Sequence, residues 1–406
     1  MAIATALDGR RPQGAVGFVA GRTTTTGHDP AAAPTTAVLG RRHGWDALAE
    51  VRDEVEDLAR SSGVGPFCRP AWWEVWHRYL EPDAPLVLLT VRSTERTLLG
   101  ALPLTRVRRH LHARVPLAVS YVGVAGAGTG SADHVGPVTG SPEVAAALFE
   151  AADREAGHSS LYLENLDPRW AELALRLPGA RATRRTGCPA VTRAPDGAFS
   201  DSWTKKMAKN VRRRHRQMTE EGITARWVPA GDGFDDALRA LRRVHEGRWN
   251  AQGGAGNLDD DRMRLLAELA DRGRAPDTPW ILLLEQGDRV AAAMLGLRAG
   301  DSFCVYKTGW DPEFARLSLG IVMGTVAMEW AQEQGLHTFD YLRGDRGHKK
   351  DLGCEAVEDT CVLVPRGAAG RLLEQRERLA SDGIRPGWYE PATGAIGRVR
   401  HALPGG

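Results

Sequence analysis

The chain has 406 residues, of which 42% are hydrophobic and 26% are charged. This composition excludes a fibrous protein and a largely disordered one, and the length leaves room for two or three domains. The formal net charge of +2 by itself indicates no polyanionic partner, although the cations are unevenly distributed along the chain.

Both ends of the chain are predicted to lie outside the packed core. Residues 1–38 are rich in Ala, Thr, Gly and Pro without a helical or strand period, which is typical of a disordered leader. Residues 367–406 are predicted to form a helix followed by a flexible tail, because Gly and Pro recur from residue 382. The apolar stretch at residues 14–20 is too short for a secretory signal, and no apolar run approaches the ~18 residues of a membrane span.

The first half of the core, residues 39–195, is predicted to run from a helix through antiparallel strands to a loop, a helix and a strand. Two dipeptides, Ser141-Pro142 and Asp167-Pro168, mark helix starts, because Ser or Asp caps the helix and Pro suits its first position. The other predicted elements are a helix at 45–59, strands at 85–92, 98–107, 119–124 and 161–166, and a glycine-rich loop at 126–136.

The second half, residues 196–366, repeats this order of elements. Helices are predicted at 201–220, 235–249 and 259–272, strands at 280–285, 289–298, 302–309, 339–342 and 360–364, and a helix capped by Ser318 that runs to Gln334. In both halves a hairpin precedes a helix that crosses to a parallel strand. The pattern therefore predicts an α+β fold with a duplicated unit.

The five cysteines are widely spaced and no pair forms a CxxC motif, so neither a zinc ribbon nor a dithiol redox site is indicated. A chain of this size does not need disulfides, and we expect reduced thiols and a cytoplasmic protein. No HExxH motif or Cys/His cluster occurs, and no catalytic metal is expected.

The predicted helix at 201–220 carries seven cations with no acidic residue among them. Met207, Val211 and Met218 form a narrow apolar stripe, so one thin face of this helix should dock on the core. A charge run is usually a solvated face, but seven like charges repel one another, which favours an anionic partner such as CoA phosphates, tRNA or another polyanion. The candidate polyanion-binding residues are Lys205, Lys209, Arg212, Arg213 and Arg216.

A distinctive segment at residues 304–353 contains CVYKTGWDP, ARLSLG, FDYLRGD and HKKDLG. It resembles the FemAB-like branch of the GNAT acyltransferase superfamily, in particular the group of CelD-type proteins. VHEGRW at 244–249 and GALPL at 100–104 also match, so the resemblance spans about residues 45–366. Two positions depart from the family pattern: its Ser-Pro-Gly is Ser318-Leu319-Gly320 here, and its Tyr before the lysine is His348.

The resemblance implies two tandem GNAT-like lobes of FemAB type, with the active site mainly on the second. It implies direct transfer of an acyl group, acetyl in the first instance, from acyl-CoA as co-substrate. The acceptor would be an amine or hydroxyl of a small molecule or of a polysaccharide or cell-envelope precursor. FemAB relatives use aminoacyl-tRNA instead, which the basic helix would hold. A third alternative is a non-catalytic polyanion-binding or assembly protein on the same fold.

The resemblance also implies roles for residues near the second-lobe motif. Asp345 or His348 would be the base, and Lys349 or Arg343 would stabilise the oxyanion or hold an acidic substrate group. Tyr306 would protonate the leaving thiolate. Asp340 is interpreted as a brace for the loop that Arg343 belongs to.

Two further groups of residues are assigned to binding. In GNAT enzymes the turn before the long helix holds the acyl-CoA pyrophosphate at a helix N-terminus. The candidate cofactor-binding residues are therefore Arg316, Ser318, Leu319 and Gly320. The remaining candidates for substrate binding are Arg248, Trp249 and, on the glycine-rich loop of the first lobe, Asp133.

Overall fold

The computed structural model describes residues 2–5, 15–17, 37–110, 118–251, 253–254, 256–344 and 347–381. These residues form two compact units. The first takes the described residues within 1–73, 83–185 and 360–389, and the second takes those within 74–82 and 186–359. No helix in these ranges is both long enough and apolar enough to cross a bilayer.

The start of the first unit contains short strands where the sequence shows no period. Strand β1 (Ala2–Thr5) pairs antiparallel with β2 (Ala15–Gly17) and parallel with β3 (Ala37–His43). β3 begins inside the range assigned to the leader, and most of that leader lies outside the described residues.

The remainder of the first unit follows the predicted order of elements and adds two that were not predicted, a helix at residues 70–79, which ends in the second unit, and a strand at residues 181–192. Strands β3 to β6 pair antiparallel in sequence, and β6 then pairs in parallel with β7. β8 begins in this unit and ends in the second. The elements are α1 (Trp45–Ala49), α2 (Arg52–Ser61), α3 (Pro70–Tyr79), β4 (Leu86–Ser93), β5 (Leu98–His110), β6 (Ala118–Val124), α4 (Pro142–Ala156), β7 (Ser160–Leu166), α5 (Pro168–Ala174) and β8 (Arg181–Thr192).

Both predicted helix starts in this unit are confirmed by their caps. The Ser141 hydroxyl accepts a hydrogen bond from the Val144 amide at 3.2 Å, and the Asp167 carboxylate accepts one from the Arg169 amide at 2.9 Å. Each cap satisfies a backbone donor that the first turn of a helix leaves without an intrahelical acceptor.

The second unit is built on a mixed sheet whose strands run in the order β8-β13-β12-β11-β10-β9. The pairs are antiparallel except for β12 and β13, which are parallel. The elements are α6 (Lys205–Glu220), β9 (Ile223–Pro229), α7 (Phe234–Ala251), α8 (Asp260–Arg272), β10 (Pro279–Gln286), β11 (Arg289–Ala299), β12 (Ser302–Trp310), α9 (Leu319–Glu333) and β13 (Thr338–Asp340).

Two final elements return the chain to the first unit. Strand β14 (Glu355–Val364) pairs antiparallel with β7 from Thr360 onward, and α10 (Gly367–Ser381) follows it. Glu377 on α10 is 1% exposed and accepts a 2.8 Å hydrogen bond from the Tyr162 hydroxyl of β7. The Arg109 guanidinium lies 3.5 Å from the same carboxylate. A buried carboxylate with these partners holds α10 against the strands, because each partner offsets part of its desolvation cost.

The core of the second unit lies under α9. Phe303 and Val305 of β12 pack there with Val322 and Met323 of the helix. The basic helix α6 adds Met207 and Val211 to this core, which confirms the predicted thin apolar face.

Strand β12 contains a β-bulge at Tyr306. Leu295 on β11 lies opposite Lys307, whereas its neighbour Gly296 lies opposite Val305, so Tyr306 is an additional residue. Before the bulge, the side chain of Val305 joins the core under α9. After it, Lys307 reaches Asn257 in the segment that follows α7. The extra residue thus reverses the face on which alternate side chains lie.

Candidate active site

The parallel pair of β12 and β13 separates in the middle of the second unit. The last paired residues are Cys304 and Asp340. Beyond them the chain after β13 stays with β8, because the Tyr341 amide donates to the Pro189 carbonyl at 2.9 Å and the Gly344 amide to the Gly187 carbonyl at 3.2 Å. The second half of β12 is therefore not paired with β13, and the predicted site residues follow this point of separation.

The turn before α9 has the geometry of an open helix start. Ser318 lies at the predicted position but adopts a left-handed conformation, with φ of 55°, and its side chain makes no cap. The expected side-chain cap by Ser318 is therefore wrong. Leu319 is buried, whereas a Cβ on Gly320 would meet no atom within 4 Å. The helix start at Gly320 is thus open to an approaching ligand, whose negative charge the helix dipole would favour.

Arg316 has a partner within the protein. Its Nη1 lies 2.7 Å from Oε1 of Glu221, and its side chain is 62% exposed. The hydrogen bond to Glu221 raises the pKa of Arg316. As a cofactor ligand, Arg316 would have to leave Glu221 or share its guanidinium with the ligand.

The basic helix α6 lies beside this turn. Arg214 donates from Nη1 to the carbonyl oxygen of Arg316 at 2.9 Å, and the ring of His215 lies 2.8 Å from the Thr325 hydroxyl of α9. The structure thus brings together the predicted polyanion-binding helix and the predicted cofactor-binding turn. The five candidate cations are all exposed, and none of them forms an ion pair with another described residue: Lys205, Lys209, Arg212, Arg213 and Arg216.

The loop after β13 carries three of the residues predicted from the family motif. Lys349 is half-buried in a short 3-10 turn (Gly347–Leu352), and its ammonium lies 4.8 Å from the centroid of the Tyr341 ring. His348 and Arg343 are exposed.

Asp340 is buried, and its Oδ1 accepts a 2.7 Å hydrogen bond from the Leu342 amide. Leu342 has a φ of 53°, so this hydrogen bond braces a turn in the left-handed region. A bracing role for Asp340 agrees with its interpretation from the sequence. Asp345, the alternative base, lies outside the described residues.

Tyr306 and Lys307 stand at the bulge. The Lys307 side chain is 8% exposed, and its ammonium lies 4.5 Å from the centroid of the Tyr306 ring and 3.3 Å from Oδ1 of Asn257. Tyr306 is among the residues predicted from the sequence, whereas Lys307 is not. A lysine within a predicted half-buried strand could have indicated a polar site, because a buried ammonium is costly unless polar groups surround it.

Helix α7 makes a close approach to β12. A Cβ on Gly309 would lie 2.4 Å from the backbone nitrogen of His245, so only glycine fits there. The ring of His245 donates from Nδ1 to the Thr308 carbonyl at 2.8 Å, since a carbonyl can only accept. Burial lowers the pKa of His245, and the charges of Lys307 and Arg248 lower it further against hydrogen bonds that raise it.

Arg248 at the end of α7 lies on an aromatic surface. Its guanidinium carbon lies 3.8 Å from the Trp310 ring centroid and 5.7 Å from that of Trp249. Its Nη1 donates to the Thr308 hydroxyl at 3.2 Å. The arginine of the predicted pair therefore reaches the half of β12 that is not paired with β13, together with His245 and Lys307, which were not predicted.

Asp133 belongs to the first unit. It is 1% exposed, next to Ala132, whose carbonyl accepts a 3.0 Å hydrogen bond from the Asn165 side chain. Its assignment to substrate binding stays a prediction.

Comparison with known protein families gives a match within the second unit. Residues 205–350 match the model of the acetyltransferase (GNAT) domain, a range that begins at the first residue of α6 and ends just after Lys349. This part of the chain is similar to a GNAT domain. The same range holds the separated strands, the open start of α9 and all the second-unit site candidates, so the resemblance stated from the motifs is confirmed.

Solved structures confirm the FemAB-like form of the fold. The chain is similar to FemX, with a TM-score of 0.57 and 11% identity over 80% of this chain and 98% of FemX. It is also similar to the C-terminal domain of a putative lysylphosphatidylglycerol synthetase from Agrobacterium fabrum, with a TM-score of 0.51 and 13% identity over 83% and 99%. A third similar structure is L-PGS from Bacillus licheniformis, with a TM-score of 0.50 and 11% identity over 80% and 96%. Comparison with the curated proteins gave no match.

Proposed function

We propose that the second unit is an acyltransferase that uses acyl-CoA, acetyl-CoA in the first instance, as donor. The acceptor would be an amine or hydroxyl of a small molecule or of a polysaccharide or cell-envelope precursor. The observation that carries this proposal is the separation of β12 from β13 beside the open start of α9. A gap between parallel strands can take an extended thioester chain, and a helix start can hold its phosphates.

The residues of this site fit a CoA ester in two respects. The turn at Ser318 and Gly320 leaves the helix start open, and the exposed cations of α6 stand beside it. A basic helix next to a helix N-terminus offers two complementary sources of attraction for phosphate groups. Bound there, the ester would supply an activated acyl carbon, which needs no covalent enzyme intermediate for transfer.

The chain's own residues would then hold charge and move protons. Lys349, fixed by the Tyr341 ring, is our candidate for stabilising the oxyanion, with Arg343 as the alternative. His348, which is exposed and carries an imidazole of the kind that often serves as a general base, or Asp345 would take the proton of the acceptor. Tyr306 at the bulge would return a proton to the thiolate.

Transfer from aminoacyl-tRNA is the second candidate. It is supported by the cations of α6 and by the similarity to a protein named a putative lysylphosphatidylglycerol synthetase. A non-catalytic polyanion-binding protein is the third, because the Ser318-Leu319-Gly320 turn and His348 depart from the family pattern. For each of these functions we propose a cytoplasmic location, which suits the five cysteines, all of which are buried and none of which forms a disulfide with another described residue.

Calorimetric titration with CoA and acetyl-CoA, together with mass spectrometry of the protein as purified, tests the first candidate. We expect binding by the native protein, weaker binding by Gly320→Pro, and thiol release that Lys349→Ala abolishes while CoA binding survives. Arg239→Ala is a suitable control, because Arg239 is exposed on α7 and its guanidinium contacts Asp236. Absence of both CoA binding and thiol release over a broad acceptor panel would reject this candidate.

Electrophoretic retention of aminoacyl-tRNA tests the second candidate. The triple variant Arg212→Ala/Arg213→Ala/Arg216→Ala removes exposed cations and leaves in place the hydrogen bond from Arg214 to the Arg316 carbonyl. If the triple variant no longer retains aminoacyl-tRNA while Arg239→Ala still does, aminoacyl-tRNA is favoured over acyl-CoA as the donor. Retention of tRNA without transfer to any acceptor would favour the non-catalytic function.

A further inference from the structure

Arg248 is a half-buried cation that lies against aromatic rings. Its guanidinium carbon lies 3.8 Å from the centroid of the Trp310 ring, and one of its amino groups donates to the Thr308 hydroxyl. Within the described residues Arg248 forms no ion pair. Burying a charge without a counterion is costly, so such an arginine is poised for an anion from outside the protein.

Arg289 provides a comparison within the same unit. It also lies over an aromatic ring, with its guanidinium carbon 5.0 Å from the Phe314 centroid. Its Nη2, however, lies 2.6 Å from Asp311 and 2.7 Å from Glu313, and these hydrogen bonds raise its pKa. Burial alone lowers the pKa of Arg248. The two arginines therefore share an aromatic support and differ in having a carboxylate.

Two cations act on the ring of His245. The charges of Lys307 and Arg248 both lower its pKa, and its Nδ1 proton is donated to the Thr308 carbonyl. An anion at Arg248 would therefore also be attracted by Lys307, which lies on the half of β12 that is not paired with β13.

We propose that Arg248, stacked on Trp310 and fixed by Thr308, binds an oxyanion of the acceptor, so that the preferred acceptors carry a carboxylate or phosphate group. Two other donors of the guanidinium, Nη2 and Nε, form no hydrogen bond with the part of the chain that the structure describes. They are arranged as a fork that matches two oxygens of such a group. The inference rests on the proposed function in that the acceptor occupies this site. The phosphates of the donor are assigned instead to the start of α9.

Arginine-selective labelling with phenylglyoxal, resolved by peptide mass spectrometry, tests this inference without turnover. The full chain is labelled alone, with inorganic phosphate, with acetate, or with CoA. We expect faster labelling at Arg248 than at Arg289, and phosphate or acetate should slow labelling at Arg248 about twofold at its dissociation constant. Labelling at Arg289 should not respond to either anion. The anion that protects more strongly identifies phosphate or carboxylate as the ligand chemistry.

Two results would overturn the inference. If neither phosphate nor acetate protects Arg248, there is no oxyanion site. If CoA protects Arg248 and the small anions do not, the arginine serves the donor. The outcome is separable from the proposed function: protection by small anions without CoA binding keeps the anion site and rejects the acyl-CoA donor.

Paired acceptors give a second readout. Acetyl-CoA-dependent thiol release is measured with an amino acid and with its amide, which differ in the carboxylate. In the native protein we expect a lower KM for the amino acid, and in Arg248→Gln a similar KM for both. Arg289→Gln should keep the native difference, and Thr308→Val, which removes the fixing hydroxyl, should reduce it. Equal KM values for both acceptors in the native protein would overturn the inference.

Discussion

Arg214 of α6 donates a 2.9 Å hydrogen bond from Nη1 to the carbonyl oxygen of Arg316, two residues before Ser318 at the start of α9. The basic helix is thereby tied to the backbone of the turn that we assign to the donor phosphates. Any displacement of α6 would move this turn, and the turn cannot rearrange freely while Arg214 holds its carbonyl.

Replacing Arg214 by Met should loosen this connection while keeping an aliphatic side chain of similar length. A hydrogen bond from a charged donor contributes about 1.5–3 kcal/mol when well buried, and we expect about 1 kcal/mol here because the contact is partly exposed. Urea denaturation would measure the change, and calorimetry should show weaker CoA binding. Arg239→Met is the control, since Arg239 is exposed on α7 and its guanidinium contacts Asp236 on its own helix. Equal effects of both variants would contradict the role of the tie.

The contact between α7 and β12 should not tolerate a side chain at Gly309. A Cβ at position 309 would lie 2.4 Å from the backbone nitrogen of His245 and 2.5 Å from the Cα of His245. The substitution Gly309→Ala must therefore push α7 away from β12. Overpacking of this kind costs about 1–3 kcal/mol, and KM for the acceptor should rise because Arg248 moves with α7.

Gly247→Ala is the matched control for this substitution, since its Cβ would make an ordinary 3.6 Å contact with Pro312. It lies within α7, where Ala instead of Gly stabilises a helix by about 0.5–1 kcal/mol. Thermal unfolding of the two variants should therefore shift in opposite directions. A Gly309→Ala variant as stable as the native protein would show that the helix and strand are less closely packed than described.

Stability should depend on pH through His245. Its pKa in the folded protein is lowered, chiefly by burial, from an ordinary value of about 6.5. Below this pH His245 binds a proton in the unfolded chain more readily than in the folded protein, where its pKa is lower. The free energy of unfolding should therefore be undiminished above about pH 6.5 and should decline as the pH falls toward the lowered pKa.

His245→Asn should remove this part of the pH dependence, because Asn can keep the donor to the Thr308 carbonyl but does not titrate. His158→Asn is the control, since His158 is exposed in the first unit. Urea denaturation between pH 5 and 8 would measure the slope for each protein. A slope in His245→Asn as steep as in the native protein would exclude His245 as its source.

The buried carboxylate of Glu377 should make α10 sensitive to single changes. Tyr162→Phe removes the 2.8 Å donor to this carboxylate and should lower the free energy of unfolding by about 1–3 kcal/mol. Leu372→Ala on the same helix should change it by less than about 0.5 kcal/mol, because Leu372 is 42% exposed. In a Glu377→Gln background, Tyr162→Phe should lower the free energy of unfolding by a smaller amount. A double-mutant cycle would measure the coupling between Tyr162 and Glu377. Additive effects would show that the two groups do not interact.

The sequence predicts this fold best where local signals agree. The starts of α4 and α5 are marked by a cap residue followed by proline, and both caps form. Strand β9 was missed because residues 224–226 are all exposed at the edge of the sheet and break the alternation that marks a strand. Strand β8 is not among the predicted elements either, because three of its first five residues are arginines and only Thr183 among those five is buried.

The site is predictable only in part from the sequence. Lys349 and the turn before α9 can be predicted from a local motif. The hydrogen bond between His245 and the Thr308 carbonyl cannot, because these residues are 63 apart in the chain. Gly309 within a strand is a signal of close approach, but it does not name the partner. The pairing of Arg214 with a backbone carbonyl could not be predicted at all, because any residue type supplies a carbonyl.

The bulge at Tyr306 makes the pairing of β12 as important as its composition. If Tyr306 paired regularly with β11, Lys307 would lie on the same face as Val305, toward the hydrophobic core under α9 and away from Asn257. Deleting Tyr306 would instead remove the bulge and leave Lys307 opposite Leu295, where it lies now. A homologous strand with the same residues but without the bulge would therefore present a different set of side chains on each face of the sheet.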